Sequence, residues 1–257
     1  MYPPIEPGGG LLIAWQLHGK RAVLVGGGDV AAGRFVHLKN ADAHVTLIAP
    51  RDELCDELRF RLDAGVVDEY RDELITDPEQ IGDCDMVLTA IDDAEMSRRI
   101  CAWSRERRIP VNVADVPPEC DFYFGSVIRR GPLQVMVSTG GNGPRIARIV
   151  RQRLEKALPP SVGLAIDKVG ALRKALRQAA PDASLAGKRM RWMTRVCDEW
   201  SLDDLSRLDD AAITRLIEDG WKNDRVPTPW KWSAVIYGTV GTILGAAAVY
   251  LAHTRTH

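Results

Sequence analysis

The sequence predicts an α/β fold: a doubly wound parallel sheet, then a hairpin and helix, then a small helical region. Three observations carry that expectation. Short β-branched apolar segments alternate with helical patterns over residues 21–114, the order expected of βαβ units. Residues 85–90 are almost wholly apolar, as a parallel strand covered on both faces must be. The first strand, over 21–25, opens directly onto the triplet Gly26-Gly27-Gly28.

Taken in order, residues 1–10 form a Pro/Gly-rich lead-in and 11–15 a short apolar segment, and His18-Gly19-Lys20 turns the chain into the first strand. The patterns place a helix over 31–40 and a second strand over 43–49, ended by Pro50. A helix follows over 52–63, a third strand over 66–70, a fourth over 85–90, a helix over 95–107 and a fifth strand over 111–114. Pro117-Pro118 breaks this rhythm. Residues 122–128 and 133–138, joined by Arg129-Arg130-Gly131-Pro132, read as a hairpin. A strong helix over 145–158 comes next, with Pro144 suited to its first turn and Asn142 as candidate cap. Helical periodicity broken by Pro181 and Gly187 fills 161–220, and Pro227 and Pro229 mark a linker. The expected domains are 1–117 (nucleotide binding), 118–158 (dimerisation and substrate) and 159–226 (helical).

The tail differs. Residues 233–252 carry no charge and are bracketed by Lys231 and Arg255. A bilayer takes ~20 such residues. Trp230, Trp232, Tyr237 and Tyr250 suit the interfaces, and Gly241 and Gly245 form a packing face. A membrane-anchoring helix over 231–252 is expected, the alternative being a buried or dangling helix.

Composition narrows the rest. A net charge of −1 over 257 residues gives no reason to expect nucleic-acid binding. The five cysteines, Cys55, Cys84, Cys101, Cys120 and Cys197, form no CxxC pair, which fits a reducing compartment and no zinc site. The five histidines show no ligand spacing either, so no resident metal is expected. No signal peptide is expected, and the catalytic part is expected in the cytoplasm.

Gly26-x-Gly28-x-x-Ala31 is a dinucleotide fingerprint in its required strand–turn–helix setting, and makes the fold Rossmann-like. Gly26 permits a tight turn through positive φ, Gly28 lets the backbone approach a pyrophosphate, and Ala31 keeps helix and sheet close. Asp29 and Val30 open the helix, whose free N–H groups suit phosphate. Asp52 is the candidate ribose acid, one residue later than the usual place, which Arg51 occupies. Arg51 tolerates a 2′-phosphate, but NAD is the favoured cofactor. Ala90 and Asp92, after the fourth strand, are candidate cofactor contacts; Asp92 and Asp93 read equally well as helix caps.

The second half names a family. Asn112-Val113-Ala114-Asp115, Cys120-Asp121-Phe122-Tyr123-Phe124-Gly125-Ser126 and Leu133–Arg145 occur in order with the glycine triplet and Thr89-Ala90-Ile91-Asp92-Asp93. Together they closely resemble the siroheme-synthase dehydrogenase/chelatase family over residues 10–220. Leu11-Leu12-Ile13-Ala14-Trp15 and Asp121-Phe122-Tyr123-Phe124-Gly125 look like its fungal bifunctional branch. The tail lies outside the pattern. The resemblance implies NAD-dependent oxidation of precorrin-2 to sirohydrochlorin, then insertion of Fe²⁺ as a substrate to give siroheme. It also implies an intertwined homodimer.

Asp115 ends a predicted parallel strand, the edge at which such sheets bind ligands, and matches the family's essential aspartate. It is the candidate for accepting protons in both steps, with transient Fe²⁺ nearby. Thr139, Gly140 and Gly141 precede a helix and are candidates for holding a substrate carboxylate. Arg129, Arg130, Arg145 and Arg148 are candidate partners for the same groups. Two other readings stay open: a dehydrogenase without chelatase activity, and a membrane-tethered dinucleotide-sensing module.

Overall fold

The computed structural model describes Tyr2, Pro4 and residues 7–229. Residues 231–252, with their expected membrane helix, lie outside the described residues. Among those that are described, no helix is long and apolar enough to cross a membrane. The chain divides into two compact units, one of residues 1–126 and 137–148, the other of 127–136 and 149 onward. The stretch 118–158 is thus shared between the two units.

The first unit is built on β1 (Arg21–Val25), β2 (His44–Ile48), β3 (Glu69–Arg71), β4 (Met86–Thr89) and β5 (Val111–Val113). All pairings are parallel and the order is β3-β2-β1-β4-β5. Val25 lies beside both Ile48 and Thr89. The chain leaves β1 in one direction for β2 and β3, then returns to its other side for β4. The C-terminal edge between β1 and β4 is therefore the switch point where such sheets open a crevice.

Helix α1 (Asp29–Lys39) follows β1, and α2 (Asp56–Asp63) follows β2. A 3₁₀ turn at Arg51–Glu53 and the extended pair Leu54-Cys55 occupy the front of the expected 52–63 helix. Its cause is local: Leu54 is buried, and the Cys55 N–H bonds to the Gly27 carbonyl at 2.7 Å, tying this segment to the glycine turn. Helix α3 (Ala94–Glu106) covers the opposite face, capped by the Asp93 carboxylate accepting from the Met96 N–H.

Helix α1 shows which force sets its place. It has no side-chain N-cap and carries Gly33 in its middle, which costs about 1 kcal/mol against alanine. Phe35 and Leu38 are fully buried against the sheet, each worth roughly 1.5–3 kcal/mol. Burial outweighs propensity.

The second unit holds the hairpin of β6 (Ser126–Arg130) and β7 (Leu133–Val137) and most of α4 (Pro144–Ala157), which begins in the first unit. It continues as α5 (Val162–Ala179), α6 (Ala186–Glu199), α7 (Leu202–Ser206) and α8 (Asp210–Arg215), then a π-turn at Leu216–Trp221. Gly163 is required here, because any Cβ would run into the Arg130 carbonyl. The fully buried Trp192 donates its indole N–H to the Arg225 carbonyl at 2.9 Å, and Trp200 donates to that of Pro227 at 2.9 Å. Those bonds fix the linker that the sequence placed at Pro227 and Pro229.

Candidate functional site

The crevice at the switch point has a volume of about 730 Å³. Gly26, Gly28, Asp29, Val30, Ala90 and Asp92 all line it, as expected. Ala31 does not; it is fully buried, at 0% exposure, where α1 meets the sheet. Gly26 has φ +117, and any Cβ there would run into the Ala90 carbonyl. At Gly27 a Cβ would stand 2.7 Å from the Glu53 carbonyl oxygen. At Gly28 it would meet nothing within 4 Å. The first two glycines thus let backbone close on backbone. The third leaves an open floor before the uncapped start of α1, whose first N–H groups lack intrahelical acceptors. This cradle fits a pyrophosphate.

The acids at the mouth differ from the expected one. Asp52 does not line the crevice; the 3₁₀ turn brings Glu53 there instead, and Glu73 lines it too. Arg51 is spoken for: its side chain pairs with Asp63 at 3.2 Å, and its N–H bonds to Asp72 at 2.7 Å. Asp92 and Asp93 both line the crevice, and Asp93 also serves as the α3 cap.

Asp115 sits just past β5, on the next strand over from the crevice. Ala114 N–H bonds to the Thr89 carbonyl at 2.9 Å, and Thr89 adjoins crevice-lining Ala90. Asp115 itself is exposed and left-handed, with φ +61. Aspartate tolerates that conformation better than most residues, at a cost of roughly 1–2 kcal/mol. The turn is held by residues whose part sequence reasoning did not foresee. Asn112, 3% exposed, donates from its side chain to the Phe122 carbonyl at 2.8 Å. Asp121 accepts from the Val111 N–H at 3.0 Å, and the Cys120 thiol donates to the Val113 carbonyl at 3.0 Å. Burial pushes that thiol above its ordinary value, so it stays a neutral donor. The one signal was a polar Asn112 inside an apolar strand.

Arg34, from α1, also reaches this segment. Its guanidinium carbon stands 4.1 Å from the Phe124 ring centroid. Burial lowers its pKa, while Cys120 and the Asp115 carboxylate push it back up; an arginine remains protonated throughout. The Thr139–Gly141 loop also borders this segment. A Cβ on Gly141 would lie 3.8 Å from both Pro117 and Tyr123. Gly140 and Gly141 have φ +58 and +83. Thr139 Oγ1 accepts from the Gly143 N–H at 3.2 Å, so its hydroxyl braces the turn. The Asn142 amide donates back to the Thr139 carbonyl instead of accepting from the helix. Segment 115–124 therefore gathers Asp115, Arg34 and the glycine loop.

The candidate arginines separate. Arg145 and Arg148 are exposed at the start of α4, beside the loop in sequence. Arg129 and Arg130 belong to the second unit, where Arg130 faces Glu155 at 3.5 Å. Among the described residues no three His, Cys, Asp or Glu side chains converge as a metal site.

Known proteins resemble this chain. An NAD(P)-binding family model matches residues 13–126, and models of the sirohaem biosynthesis protein match 130–157 (central) and 159–227 (C-terminal). A siroheme biosynthesis protein of Schizosaccharomyces pombe is 44% identical over 258 residues, covering 98% of this chain and 97% of its own. Siroheme synthases of Photorhabdus laumondii and Nitrosospira multiformis are each 36% identical, over 69% and 72% of this chain. The chain spans only 36% and 39% of their length. The solved structure of SirC, a precorrin-2 dehydrogenase, superposes with a TM-score of 0.62 at 17% identity, over 81% of this chain and 98% of its own. That likeness shows the fold.

Proposed function

The chain belongs to the siroheme biosynthesis family, and from that premise we propose that it oxidises precorrin-2 to sirohydrochlorin and then inserts Fe²⁺ to give siroheme. The observation that carries the reading is Asp115, an exposed carboxylate held in a left-handed turn one strand from the dinucleotide crevice. Non-glycine residues in such conformations persist where surrounding structure imposes them, and they cluster at active sites.

Gly26 and Gly28, with the N–H groups opening α1, would hold the NAD pyrophosphate. Glu53 and Glu73 at the mouth favour NAD over NADP, since a 2′-phosphate there would face carboxylates. When bound, NAD⁺ supplies the hydride acceptor. Asp115 takes the proton released as precorrin-2 loses hydride. In chelation the ring loses two pyrrole N–H protons as iron enters; the same carboxylate, exposed to water, accepts them one at a time and passes each to solvent. Iron is a substrate here, delivered to the ring nitrogens, so no tight protein site for it is needed. Gly140, Gly141, Thr139 and Arg145 are placed to receive the macrocycle's carboxylates.

A homodimer is part of the proposal. Ile146, Ile149, Val150 and Leu154 form one face of α4 and are 38–61% exposed, an apolar row that a second copy would cover. A catalytic part in the cytoplasm is proposed as well, with membrane attachment through 233–252 left to fractionation of the full-length chain.

The test is direct. Purified protein is given precorrin-2 and NAD⁺, and absorbance of NADH is followed. Sirohydrochlorin with Fe²⁺ is then supplied separately. NADH formation with no metal insertion would leave a dehydrogenase alone; neither reaction would sink the reading.

A further inference from the structure

Arg34 is a largely buried cation with no carboxylate in direct contact. Its Nε is buried without an acceptor. Among the described residues it makes no ion pair. The face of Phe124 is its main contact, at 4.1 Å. Phe124 is itself fixed by Phe122 at 5.8 Å and by His37 at 5.5 Å, and Phe122 by Trp15 at 6.3 Å. Three further rings thus buttress the one on which the guanidinium rests. Buried charges are ordinarily paired, and a ring face returns only part of the cost of removing arginine from water. A planar fork held in place with open donors is the arrangement that binds a carboxylate on two bonds.

The position narrows the ligand. Asp115 is near enough to act on Arg34 electrostatically, and the glycine loop borders the same segment through Pro117 and Tyr123. A molecule that presents a carboxylate to Arg34 and also spans to Asp115 fits this arrangement. We propose that Arg34 is a substrate-binding residue whose guanidinium, stacked on Phe124, grips a side-chain carboxylate of the tetrapyrrole and so sets the ring edge against Asp115. This inference rests on the function proposed above.

The experiment is a titration of NAD-free protein with sirohydrochlorin, followed by fluorescence quenching, for wild type, Arg34→Ala, Arg34→Lys and Phe124→Leu. Arg34→Ala should weaken binding by about 10- to 100-fold, the usual range for a charged hydrogen bond. Arg34→Lys should fall between, keeping charge without the fork. Phe124→Leu should weaken binding with Arg34 intact. In turnover the KM for precorrin-2 should rise while that for NAD⁺ stays put. If Arg34→Ala does not fold, the other two variants carry the comparison. Unchanged sirohydrochlorin affinity in the folded variants overturns the proposal. So does a lowered kcat with a displaced pH profile at unchanged affinity, which would make Arg34 a partner of Asp115 alone. Wild-type protein that neither binds sirohydrochlorin nor forms NADH would instead remove the function on which the inference stands.

Discussion

The dinucleotide crevice and the Asp115 turn lie one strand apart and are made in opposite ways. The crevice is shaped by missing side chains: Gly26 and Gly27 let carbonyls close in, and Gly28 leaves its space empty. The Asp115 turn is shaped by side chains: Asn112 and Phe124 from its own segment, and Arg34 brought from far along the chain on α1. One is a backbone mould, dictated locally. The other depends on packing, and it carries strain and a cation whose Nε has no acceptor. Ligand grip is cheap to build with backbone; proton chemistry needs titratable groups, and these cost stability wherever they are held out of water.

The sharpest way to break this contrast is at the glycines. Gly26→Ala forces a Cβ into the Ala90 carbonyl at φ +117, so it should destabilise the first unit by more than ~4 kcal/mol, the range reserved for severe defects. Gly28→Ala meets nothing in the protein. Its thermal midpoint should stay within a degree or two, while NAD⁺ affinity drops clearly. Equal loss of stability in both would mean that Gly28 is structural too.

Next in size is Asp115. Asp115→Asn should cut precorrin-2 oxidation by about 10²- to 10⁴-fold, as loss of a general base does, with NAD⁺ binding unchanged. Asp115→Gly should be as inactive yet slightly more stable, by up to about 1 kcal/mol, because glycine adopts φ +61 without strain. Calorimetry beside the NADH assay separates the two effects. A destabilised Asp115→Gly would show that the carboxylate supports the fold instead of taxing it.

The same contrast explains what the sequence made legible. The strands, their order in the chain and the fingerprint follow from local residue patterns, and β1, α1 and β4 lie within a few residues of their expected places. Fine boundaries slipped where long-range contacts decided them. Leu54 is buried and Cys55 bonds to Gly27, so the helix expected from 52 starts only at Asp56, and Glu53, not Asp52, faces the crevice. Arg34 carried no signal at all. On α1 it reads as one charged residue among many, and only the return of the chain past β5 gives it Phe124 and Asp115 as neighbours.

A smaller effect comes from Asp68, which sits away from both sites at the β2–β3 side. Burial works against its charge, but hydrogen bonds from Lys39 at 2.6 Å and the Val45 N–H at 2.7 Å win and hold its pKa below the usual range. A depressed carboxylate stabilises above its unfolded value, about 3.9, and loses that contribution as pH falls through the folded value. Asp68→Asn should therefore cost about 0.5–1 kcal/mol at pH 7, as exposed pairs do, and progressively less as pH falls below about 3.9, by urea midpoints. Undiminished cost at pH 2 would trace the loss to packing.

The smallest effect tests the side-chain-built site through His37, whose ring lies against Phe124. Burial first, and the positive charge of Arg34 second, hold its pKa below the ordinary 6.5. The folded protein thus keeps His37 neutral at a pH where the unfolded chain takes up a proton. With more protons on the unfolded side, stability rises with pH through the window below about 6.5 and is complete above it. His37→Phe should flatten that stretch of the stability–pH curve and leave the acid limb of Asp68 untouched. The ring has an open edge to solvent, so the change will be small, and NMR titration of the imidazole is the better probe. In Arg34→Ala the His37 midpoint should move upward, since one of its two depressing causes is gone. A midpoint that stays put would mean that Arg34 does not charge this site, and the contrast between a neutral mould and a charged pocket would lose its electrical half.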